Sequence, residues 1–518
     1  MLDKPGLSFI PTIYTHARYR GKRTALICGD KTATWAELNT GVNKVANALV
    51  KAGLKKGEKA GFLCLNSIDA AAVLFGIMRA GGVVVPLSAL LTPDLIASLI
   101  KDSGSRFFFV DAMLQPLASP ILDQLESIPR QRRISIGFED KEWTPLASFL
   151  ENAPDNLPAV HLEDDDHANI IYSSGTTGVP KGIVHSHKSR ALFAYALGME
   201  FRIDSAARTI VTTPLFTNGT WMTLIPTTVA GGTTVLMPMF NPEDFLKTVQ
   251  QERCTHTFMV PTQFQAIIDH PDFEKYDLSS MRIMVCAGAI LPLPLKKRIL
   301  EKVGDVLMEL YGLTEGVGTT LKPEDIRTKT GSVGTPISGT EIRIIDDEGN
   351  EVAAGEPGEI VGSGSGGMEG YHNRPDATQE IIWRDELGRT FIRTGDMGRF
   401  DEDGFLYILD RKKDMIISGG INVFASDIEE VLIQHPDVKD AAVIAIPDEK
   451  WGETPLALLI RNEDAQAGEE EIKAWANTKL AKHQRVKKVE FRDEDFPRNA
   501  LGKVLKRQLR EPYWSDSE

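Results

Sequence analysis

One short stretch of the sequence, residues 173–182, has the composition of a loop that binds phosphate groups. It combines hydroxyl side chains, glycines and one lysine, in the order Ser173, Ser174, Gly175, Thr176, Thr177, Gly178, Val179, Pro180, Lys181 and Gly182. Glycines let backbone N–H groups approach phosphate oxygens, hydroxyls donate further hydrogen bonds, and a lysine supplies positive charge. Residues Asn169–Tyr172 just before it predict a short strand, and α/β sheets bind ligands at strand ends. The stretch therefore predicts an anion site.

Two other interpretations of this stretch are weaker. A segment rich in Ser, Thr and Gly can be an ordinary surface loop, but so many donors beside a lysine at a strand end favour phosphate binding. The stretch is not a Walker A loop, because Pro180 precedes the lysine and Gly182 stands where that motif requires Ser or Thr. A phosphate loop of another type is expected.

Further motifs follow the loop in a fixed order along the chain. They are Tyr311–Glu315 (YGLTE), Arg393–Asp396 (RTGD), Asp410–Asp414 (DRKKD) with Ser418–Asn422 (SGGIN), and Pro497–Lys503 (PRNALGK). Together with the phosphate loop, this set resembles the adenylate-forming superfamily over nearly the whole chain. That superfamily comprises acyl- and aryl-CoA synthetases, the adenylation domains of peptide synthetases, and firefly luciferase. Each motif alone is only moderately specific, and the resemblance depends on their order and spacing.

The resemblance implies a role for each matched residue in joining a carboxylate to the α-phosphate of ATP. Because both reactants are anions, positive charge must be held where their repulsion peaks. By resemblance, Lys503 contacts the carboxylate and the α-phosphate, Lys181 and Thr314 hold phosphates, and Glu315 holds Mg²⁺ as a hard oxygen ligand. The remaining nucleotide-binding residues implied are Ala287, Gly288, Ala289, Glu309, Tyr311, Gly312, Asp396 and Arg411. Tyr311 is expected to lie against the adenine, and Asp396, supported by Arg411, to accept hydrogen bonds from the ribose hydroxyls.

The resemblance also implies a second step on the same site. The chain is expected to divide into an N-terminal adenylation domain over residues 1–410 and a mobile C-terminal domain over 411–518, with a hinge at Lys413. Rotation about the hinge would remove Lys503 and bring the coenzyme A segment Ser418, Gly419 and Gly420 to the acyl-adenylate. Coenzyme A would then take the acyl group, and AMP would leave.

Two positions depart from the family pattern. Thr217 stands where many acyl-CoA synthetases have a histidine that closes one side of the acyl pocket. Leu310 stands where many relatives have a glycine at the pocket floor, so the branched side chain predicts a shorter or rerouted pocket. The candidate pocket residues are Thr217, Asn218, Gly219, Trp221 and Leu310.

Several alternatives remain open. Taken singly, an Asp after Thr-Gly is often a turn residue, a Glu after Thr is often a helix cap, and Lys503 resembles a surface charge. At the level of function, the rivals to a carboxylic acid–CoA ligase are an enzyme that loads a carrier protein, a luciferase-type oxygenase, and a non-enzymatic acyl-nucleotide sensor. The acid itself is open among fatty, aryl, arylpropenoic and branched acids, and a homodimer is an open oligomeric state.

The elements that must position these motifs follow from composition and periodicity. Over the first 160 residues helical and strand patterns alternate, which predicts an α/β fold with parallel-type sheets covered by helices. Thr34 and Glu37 predict a capping box before a helix that ends near Gly53. Short strands with turns over 335–362 predict an antiparallel, barrel-like part, and the last ~110 residues predict a small α+β domain.

The overall composition limits the partners and the compartment. The chain has 518 residues and a net charge of −14, which opposes a general nucleic-acid binder. The four cysteines, Cys28, Cys64, Cys254 and Cys286, form no CxxC pair and are expected to be buried thiols. No stretch approaches the ~20 apolar residues that span a bilayer. These features predict a cytoplasmic protein. The resemblance to the adenylate-forming superfamily implies that its partners are a small carboxylic acid, ATP, Mg²⁺ and coenzyme A.

Replacing the lysine at the C-terminal motif provides the sharpest sequence-based prediction. Lys503→Ala should remove most adenylation, by analogy with a lost oxyanion donor at roughly 3–4 kcal/mol. It should leave thioester formation from supplied acyl-adenylate nearly intact, because the hinge rotation has then moved the lysine away. The measurement is both half-reactions on one preparation. Adenylation near the wild-type rate would make Lys503 a surface lysine and the assignment of this motif wrong.

Overall fold

The computed structural model describes residues 6–172, 180–364, 366–419, 421–462, 464–498 and 504–514. The chain divides into two compact units. Unit 1 comprises Met1–Thr328, Pro336–Glu341 and Ser363–Ile382, and unit 2 comprises Lys329–Thr335, Ile342–Gly362 and Trp383–Glu518. Most of the phosphate-loop sequence, Ser173–Val179, lies outside the described residues, as do Gly420 and Lys503.

The strands, in chain order, are β1 (Thr24–Cys28), β2 (Lys31–Thr34), β3 (Lys59–Leu63), β4 (Val83–Pro86), β5 (Phe107–Asp111), β6 (Arg133–Ile136), β7 (Thr144–Pro145), β8 (His167–Tyr172), β9 (Gly182–Ser186), β10 (Arg208–Val211), β11 (Thr233–Leu236), β12 (His256–Met259), β13 (Ile283–Cys286), β14 (Leu307–Gly312), β15 (Gly318–Leu321), β16 (Thr335–Pro336), β17 (Thr340–Ile345), β18 (Gly358–Gly364), β19 (Gly370–Tyr371), β20 (Ile382–Arg384), β21 (Thr390–Phe400), β22 (Leu406–Arg411), β23 (Ile416–Ser418), β24 (Ile421–Val423), β25 (Val438–Asp448), β26 (Gly452–Arg461) and β27 (Lys488–Phe491).

The α-helices are α1 (Ile10–Arg20), α2 (Trp35–Lys51), α3 (Ile68–Arg79), α4 (Pro93–Ser103), α5 (Gln115–Ala118), α6 (Leu146–Leu150), α7 (His187–Glu200), α8 (Asn218–Ala230), α9 (Pro242–Glu252), α10 (Pro261–Ile268), α11 (Leu293–Val303), α12 (Pro375–Glu380), α13 (Ala425–Leu432), α14 (Glu469–Lys479) and α15 (Lys506–Trp514).

Two large mixed sheets organise unit 1. One has the order β16-β15-β14-β13-β12-β10-β11-β1-β2, and the other has the order β19-β9-β8-β4-β3-β5-β6-β7. Within the first sheet, β11, β10, β12, β13 and β14 run parallel to their neighbours. Parallel strands end at one edge, so the segments that follow β10, β13 and β14 lie on the same side of this sheet. The predicted α/β fold is confirmed.

The helices of unit 1 form where the sequence provides starts and apolar faces. Thr34 and Glu37 make the predicted capping box at the start of α2. Helix α3 is buried on all sides over Ala70–Arg79, and it packs with α2 in the largest hydrophobic core. Such all-round burial suits a helix that lies inside the fold.

The sheets of unit 2 are mainly antiparallel, as predicted for residues 335–362, but β27 runs parallel to β26. The strands β17, β18, β21 and β20 form one sheet, with β22 paired to β21. A second sheet, β24-β23-β26-β25 with β27 beside β26, carries α13, α14 and α15. Its core consists of alternating apolar residues on β25 and β26, which confirms the predicted small α+β part.

Two predictions made from composition concern the burial of the cysteines and the presence of membrane-spanning helices. Cys64, Cys254 and Cys286 are buried free thiols, whereas Cys28 is only half-buried. The prediction of four buried thiols is therefore wrong at Cys28, which lies at the end of β1 where the strand leaves the core. Within the described residues, no helix combines the length and apolarity that crossing a bilayer requires.

Candidate active site

Most of the predicted nucleotide residues of unit 1 follow strands at one edge of its nine-stranded sheet. Ala287, Gly288 and Ala289 come directly after β13, and Gly288 has a positive φ of 93° that suits glycine. Tyr311 and Gly312 end the neighbouring strand β14, and Thr314 and Glu315 form the turn into β15. Thr217 follows β10. The fold therefore brings the sequence-predicted adenine, phosphate and pocket segments to one edge.

Lys181 and Glu315 share one aromatic partner, Tyr371. The Tyr371 hydroxyl donates to Glu315 Oε1 at 2.9 Å, and Lys181 Nζ lies 4.9 Å from the centre of the Tyr371 ring. Burial and the Glu315 carboxylate raise the pKa of the phenol, so it stays a donor. Among the described residues, Lys181 pairs with no carboxylate, and Glu315 pairs with no basic side chain. The Lys181 cation and the Glu315 anion thus contact the same tyrosine without forming an ion pair with each other.

Tyr371 was missed as a functional residue by sequence reasoning. Its position depends on strand β19, which pairs with β9 just after Lys181. Arg374 continues the same segment and pairs with Asp102 Oδ1 at 3.0 Å. The other Asp102 oxygen accepts a hydrogen bond from the hydroxyl of Tyr172, the residue before the phosphate-loop sequence. The tyrosine is therefore fixed by contacts with residues far away in the chain.

Thr314 and Glu315 are held through their backbone carbonyls. His185 Nε2 lies 2.8 Å from the Thr314 carbonyl oxygen, and the Met368 N–H donates to the Glu315 carbonyl at 2.9 Å. Gly316 completes the turn with a φ of 111°, and it packs directly against Gly367, so no side chain fits there. The two predicted ligand side chains project from a turn whose main chain is fixed.

Glu309 has a different environment from the other predicted nucleotide residues. It forms an ion pair with Lys296 of α11, and both side chains are buried. Burial raises the pKa of Glu309. Because side chains alternate along a strand, Glu309 and Tyr311 face α11, whereas Leu310 lies on the opposite face with Thr320. The carboxylate of Glu309 is therefore committed to a protein partner.

The predicted acid-pocket residues fall into two groups. Thr217 accepts a hydrogen bond from the Thr220 N–H and so caps α8. A Cβ on Gly219 would lie 2.5 Å from the Phe258 ring, so only glycine allows this contact. Asn218 and Leu310 are half-buried. Trp221, by contrast, is fully buried, with its indole N–H donating to the Leu215 carbonyl at 2.7 Å, and it belongs to the core.

In unit 2, Asp396 and Arg411 form a fixed pair. They lie opposite each other on β21 and β22, and Arg411 Nε contacts Asp396 Oδ1 at 2.7 Å. The Asp396 carboxylate is buried, and its backbone N–H donates to Thr394 Oγ1 at 3.0 Å. The guanidinium orients the carboxylate and balances its charge.

The remaining predicted residues of unit 2 that the structure describes are Lys413, Ser418 and Gly419. The Lys413 carbonyl accepts a hydrogen bond from Arg510 at 3.1 Å, and burial lowers the pKa of the Lys413 amine. Ser418 ends β23, and Gly419, with a φ of 59°, packs against the indole of Trp451. Lys503 lies outside the described residues. Of the described residues next to it, the Leu505 N–H donates to the Pro497 carbonyl at 2.8 Å.

The chemistry of the described donors fits Mg²⁺ that arrives with ATP. No group of three or more His, Cys, Asp or Glu in the described residues could hold a metal ion by itself. Mg²⁺ is commonly bound through one or two carboxylates together with substrate phosphates. Glu315, a carboxylate without a basic partner beside the cation Lys181, matches that pattern.

Comparison with known proteins is consistent with this arrangement. The model of the AMP-binding enzyme family matches residues 13–372, and that of the AMP-binding enzyme C-terminal domain matches 427–503. A feruloyl-CoA synthase of Amycolatopsis is 34% identical over 498 residues, covering 95% of this chain and 96% of that protein. A long-chain-fatty-acid–CoA ligase of Mycobacterium tuberculosis is 35% identical over 486 residues, covering 93% and 94%.

A solved structure extends the likeness to three dimensions. The anthranilate CoA ligase AuaEII, in complex with anthranoyl-AMP, superposes with a TM-score of 0.89 at 29% identity, and the match covers 98% of each chain. The predicted resemblance is confirmed over both units. The chain belongs to the AMP-binding enzyme family, as an acyl- or aryl-CoA synthetase of the adenylate-forming superfamily.

Proposed function

We propose that this chain joins a carboxylic acid to coenzyme A in two steps, with the acyl-adenylate as intermediate. In the first step a carboxylate oxygen attacks the α-phosphorus of ATP, and pyrophosphate leaves. In the second step the thiol sulfur of coenzyme A attacks the acyl carbon, a proton is released, and AMP leaves. The observation that carries the proposal is the placement of Lys181 at the ring and Glu315 at the hydroxyl of Tyr371, because ATP with a divalent cation needs both charges at its phosphates.

The residues of unit 1 divide the work at the phosphates. Lys181 supplies positive charge to the phosphate oxygens, and the fixed turn presents Thr314 as a hydroxyl donor. Glu315 is the residue that would hold Mg²⁺, and the ion would neutralise phosphate charge when bound. Tyr371 keeps the Glu315 carboxylate oriented. The masking of charge between carboxylate and phosphate is the largest electrostatic requirement of adenylation.

The residues of unit 2 serve the ribose and the exchange of steps. Asp396 binds the ribose hydroxyls while Arg411 holds its other side. We place the hinge at Lys413, with residues 411–518 as the moving lid that carries Lys503 for adenylation and Ser418–Gly420 for thioester formation. A hinge residue absorbs a change in φ and ψ at a chain position between packed elements. The location that suits these substrates is the cytoplasm.

The acid we propose is compact, either aromatic or short-chained. Leu310 fills space that a glycine would leave open, on the face of β14 opposite the Glu309–Lys296 pair. The relatives include enzymes named for ferulate and for long-chain fatty acids. These acids differ in length, so we expect the depth of the pocket to separate the two classes. A carrier protein as acyl acceptor remains the second candidate, because it would use the same adenylation step.

A panel assay tests the proposed function. Pyrophosphate release should appear with ATP, Mg²⁺ and an aryl or short acid alone, and AMP release should appear only after coenzyme A is added. Carrier protein in place of coenzyme A serves as the comparison for the second candidate. Absence of pyrophosphate release with every acid would refute adenylation, and AMP release with carrier protein alone would refute the choice of coenzyme A.

Two variants at Tyr371 separate its two contacts. Tyr371→Phe keeps the ring near Lys181 but removes the hydroxyl that orients Glu315, at a cost of about 1.5 kcal/mol for a hydrogen bond to a charged group. The Mg²⁺ concentration for half-maximal pyrophosphate release should rise about tenfold. Tyr371→Leu removes both contacts and should also weaken MgATP binding measured by calorimetry. An unchanged Mg²⁺ requirement in the Phe variant would show that the hydroxyl does not orient the ligand.

A change of volume at Leu310 tests the depth of the acid pocket. Leu310→Gly should shift the preferred acid towards longer or bulkier members, because a removed leucine leaves usable space. Leu310→Met keeps the volume and should keep the wild-type preference. Chain-length profiles of kcat/KM for the three proteins decide the matter, and an identical optimum in wild type and Leu310→Gly would rule out Leu310 as the floor.

A further inference from the structure

Helix α7 carries a buried cation that has no acidic partner. Arg190 is 1% exposed, and among the described residues no carboxylate lies within ion-pair distance of it. Its guanidinium instead lies 4.9 Å from the Trp221 ring centre and 5.2 Å from that of Phe193. Burial lowers the pKa of Arg190 to about 9. An unpaired buried charge is costly, so a residue of this kind needs a role that an apolar side chain could not perform.

The polar contacts of Arg190 lead to one histidine. Arg190 Nε donates to Asn169 Oδ1 at 2.7 Å, and Arg190 Nη2 lies 3.2 Å from His185 Nδ1. Asn169 Nδ2 lies 3.2 Å from the same His185 nitrogen. Asn169 and His185 are directly opposite each other on β8 and β9, so the sheet itself fixes their separation.

These contacts determine which nitrogen of His185 carries the proton. Guanidinium and amide N–H groups can only donate, so Nδ1 must be the acceptor. The neutral ring therefore carries its proton on Nε2, which donates to the Thr314 carbonyl at 2.8 Å. The opposite tautomer would set a lone pair against the carbonyl oxygen and a proton against two donors. Burial and the charge of Arg190 lower the pKa of His185, which keeps the ring neutral.

The carbonyl that His185 holds belongs to the turn that presents the candidate phosphate and Mg²⁺ ligands. Glu315, the next residue, is anchored by Met368 through its own carbonyl, so both carbonyls of this dipeptide have fixed donors. A shift of the Thr314 carbonyl would rotate the peptide bond that joins Thr314 to Glu315 and would move both side chains. Positioning within about 0.5 Å is what a reacting site requires.

We propose that Arg190, Asn169 and His185 form a positioning network for the Thr314–Glu315 turn, in which the buried guanidinium fixes the histidine tautomer and the histidine fixes the turn for MgATP. This proposal rests on the proposed function. In this network none of the three residues contacts the nucleotide. Arg190 acts through His185, and His185 acts through the Thr314 backbone. The free energy that is lost by burying Arg190 then serves to keep the phosphate-binding turn in one conformation.

A matched pair of substitutions at His185 tests the network. Gln has an amide that can replace Nε2–H as the donor to Thr314, whereas Leu has a similar volume and no donor. His185→Leu should raise the Kd for MgATP, measured by calorimetry, roughly five- to tenfold, as expected for one lost hydrogen bond. His185→Gln should restore most of the affinity. Binding of the acid substrate should be unchanged in both, because only the turn is affected.

A third variant tests the role of the cation. Arg190→Met fills a similar volume, removes the charge, and leaves Nδ1 of His185 with one donor fewer. In ¹⁵N-labelled enzyme the His185 resonances, identified by their loss in His185→Gln, should report the Nε2–H tautomer in wild type and a mixture of tautomers in Arg190→Met. The Kd for MgATP should rise in parallel with the fraction of the wrong tautomer.

The outcomes separate this network from a merely structural role and from failure of the proposed function. Loss of thermal stability in His185→Leu and Arg190→Met with an unchanged Kd for MgATP would overturn the network. An Nδ1–H tautomer in the wild-type enzyme would overturn it as well. Absence of adenylation in wild type, by contrast, would refute the proposed function, and the tautomer measurement would still report on the three residues.

Discussion

The chemistry of this enzyme requires two anions, a carboxylate and a triphosphate, to meet at one point. Positive charge must therefore be present before the substrates arrive, and it must not be neutralised by the protein's own carboxylates. In unit 1 the solution that we propose is geometric. Lys181 contacts the ring of Tyr371, and Glu315 accepts a hydrogen bond from its hydroxyl. Each charge is stabilised by the tyrosine, and neither is neutralised by the other. The surrounding sheets provide the fixed edge on which this separation depends.

Much of the fold and the list of candidate residues could be predicted from the sequence. The capping box at Thr34 and the alternation of helices and strands follow from local sequence patterns, because each depends on residues a few positions apart. The order of the motifs similarly indicates the family. Tyr371 could not be assigned this way, since its hydroxyl meets a carboxylate 56 positions earlier in the chain. Nothing in the residues next to Tyr371 indicates that partner.

Burial could not be predicted at several site positions for the same reason. Trp221 is one of the candidate pocket residues, yet it lies in the core, where it contacts the guanidinium of Arg190 and the Leu215 carbonyl. Glu309 precedes the adenine motif, yet its carboxylate is paired with Lys296. A motif fixes which residue stands at a position. The side of the strand and the neighbouring helix decide which partner that residue meets.

The charged site residues have different kinds of partner in the two units, and the difference matches their proposed roles. In unit 2 Asp396, the residue proposed to bind the ribose, is paired with Arg411. A residue that only accepts hydrogen bonds from a neutral sugar can share a permanent partner. In unit 1 the cations Lys181 and Arg190 lie on aromatic rings. A ring stabilises a cation by about 0.5–2 kcal/mol and leaves its charge in place. A carboxylate would have to be displaced before a phosphate could bind Lys181, whereas a phosphate can approach a lysine that rests on Tyr371 directly.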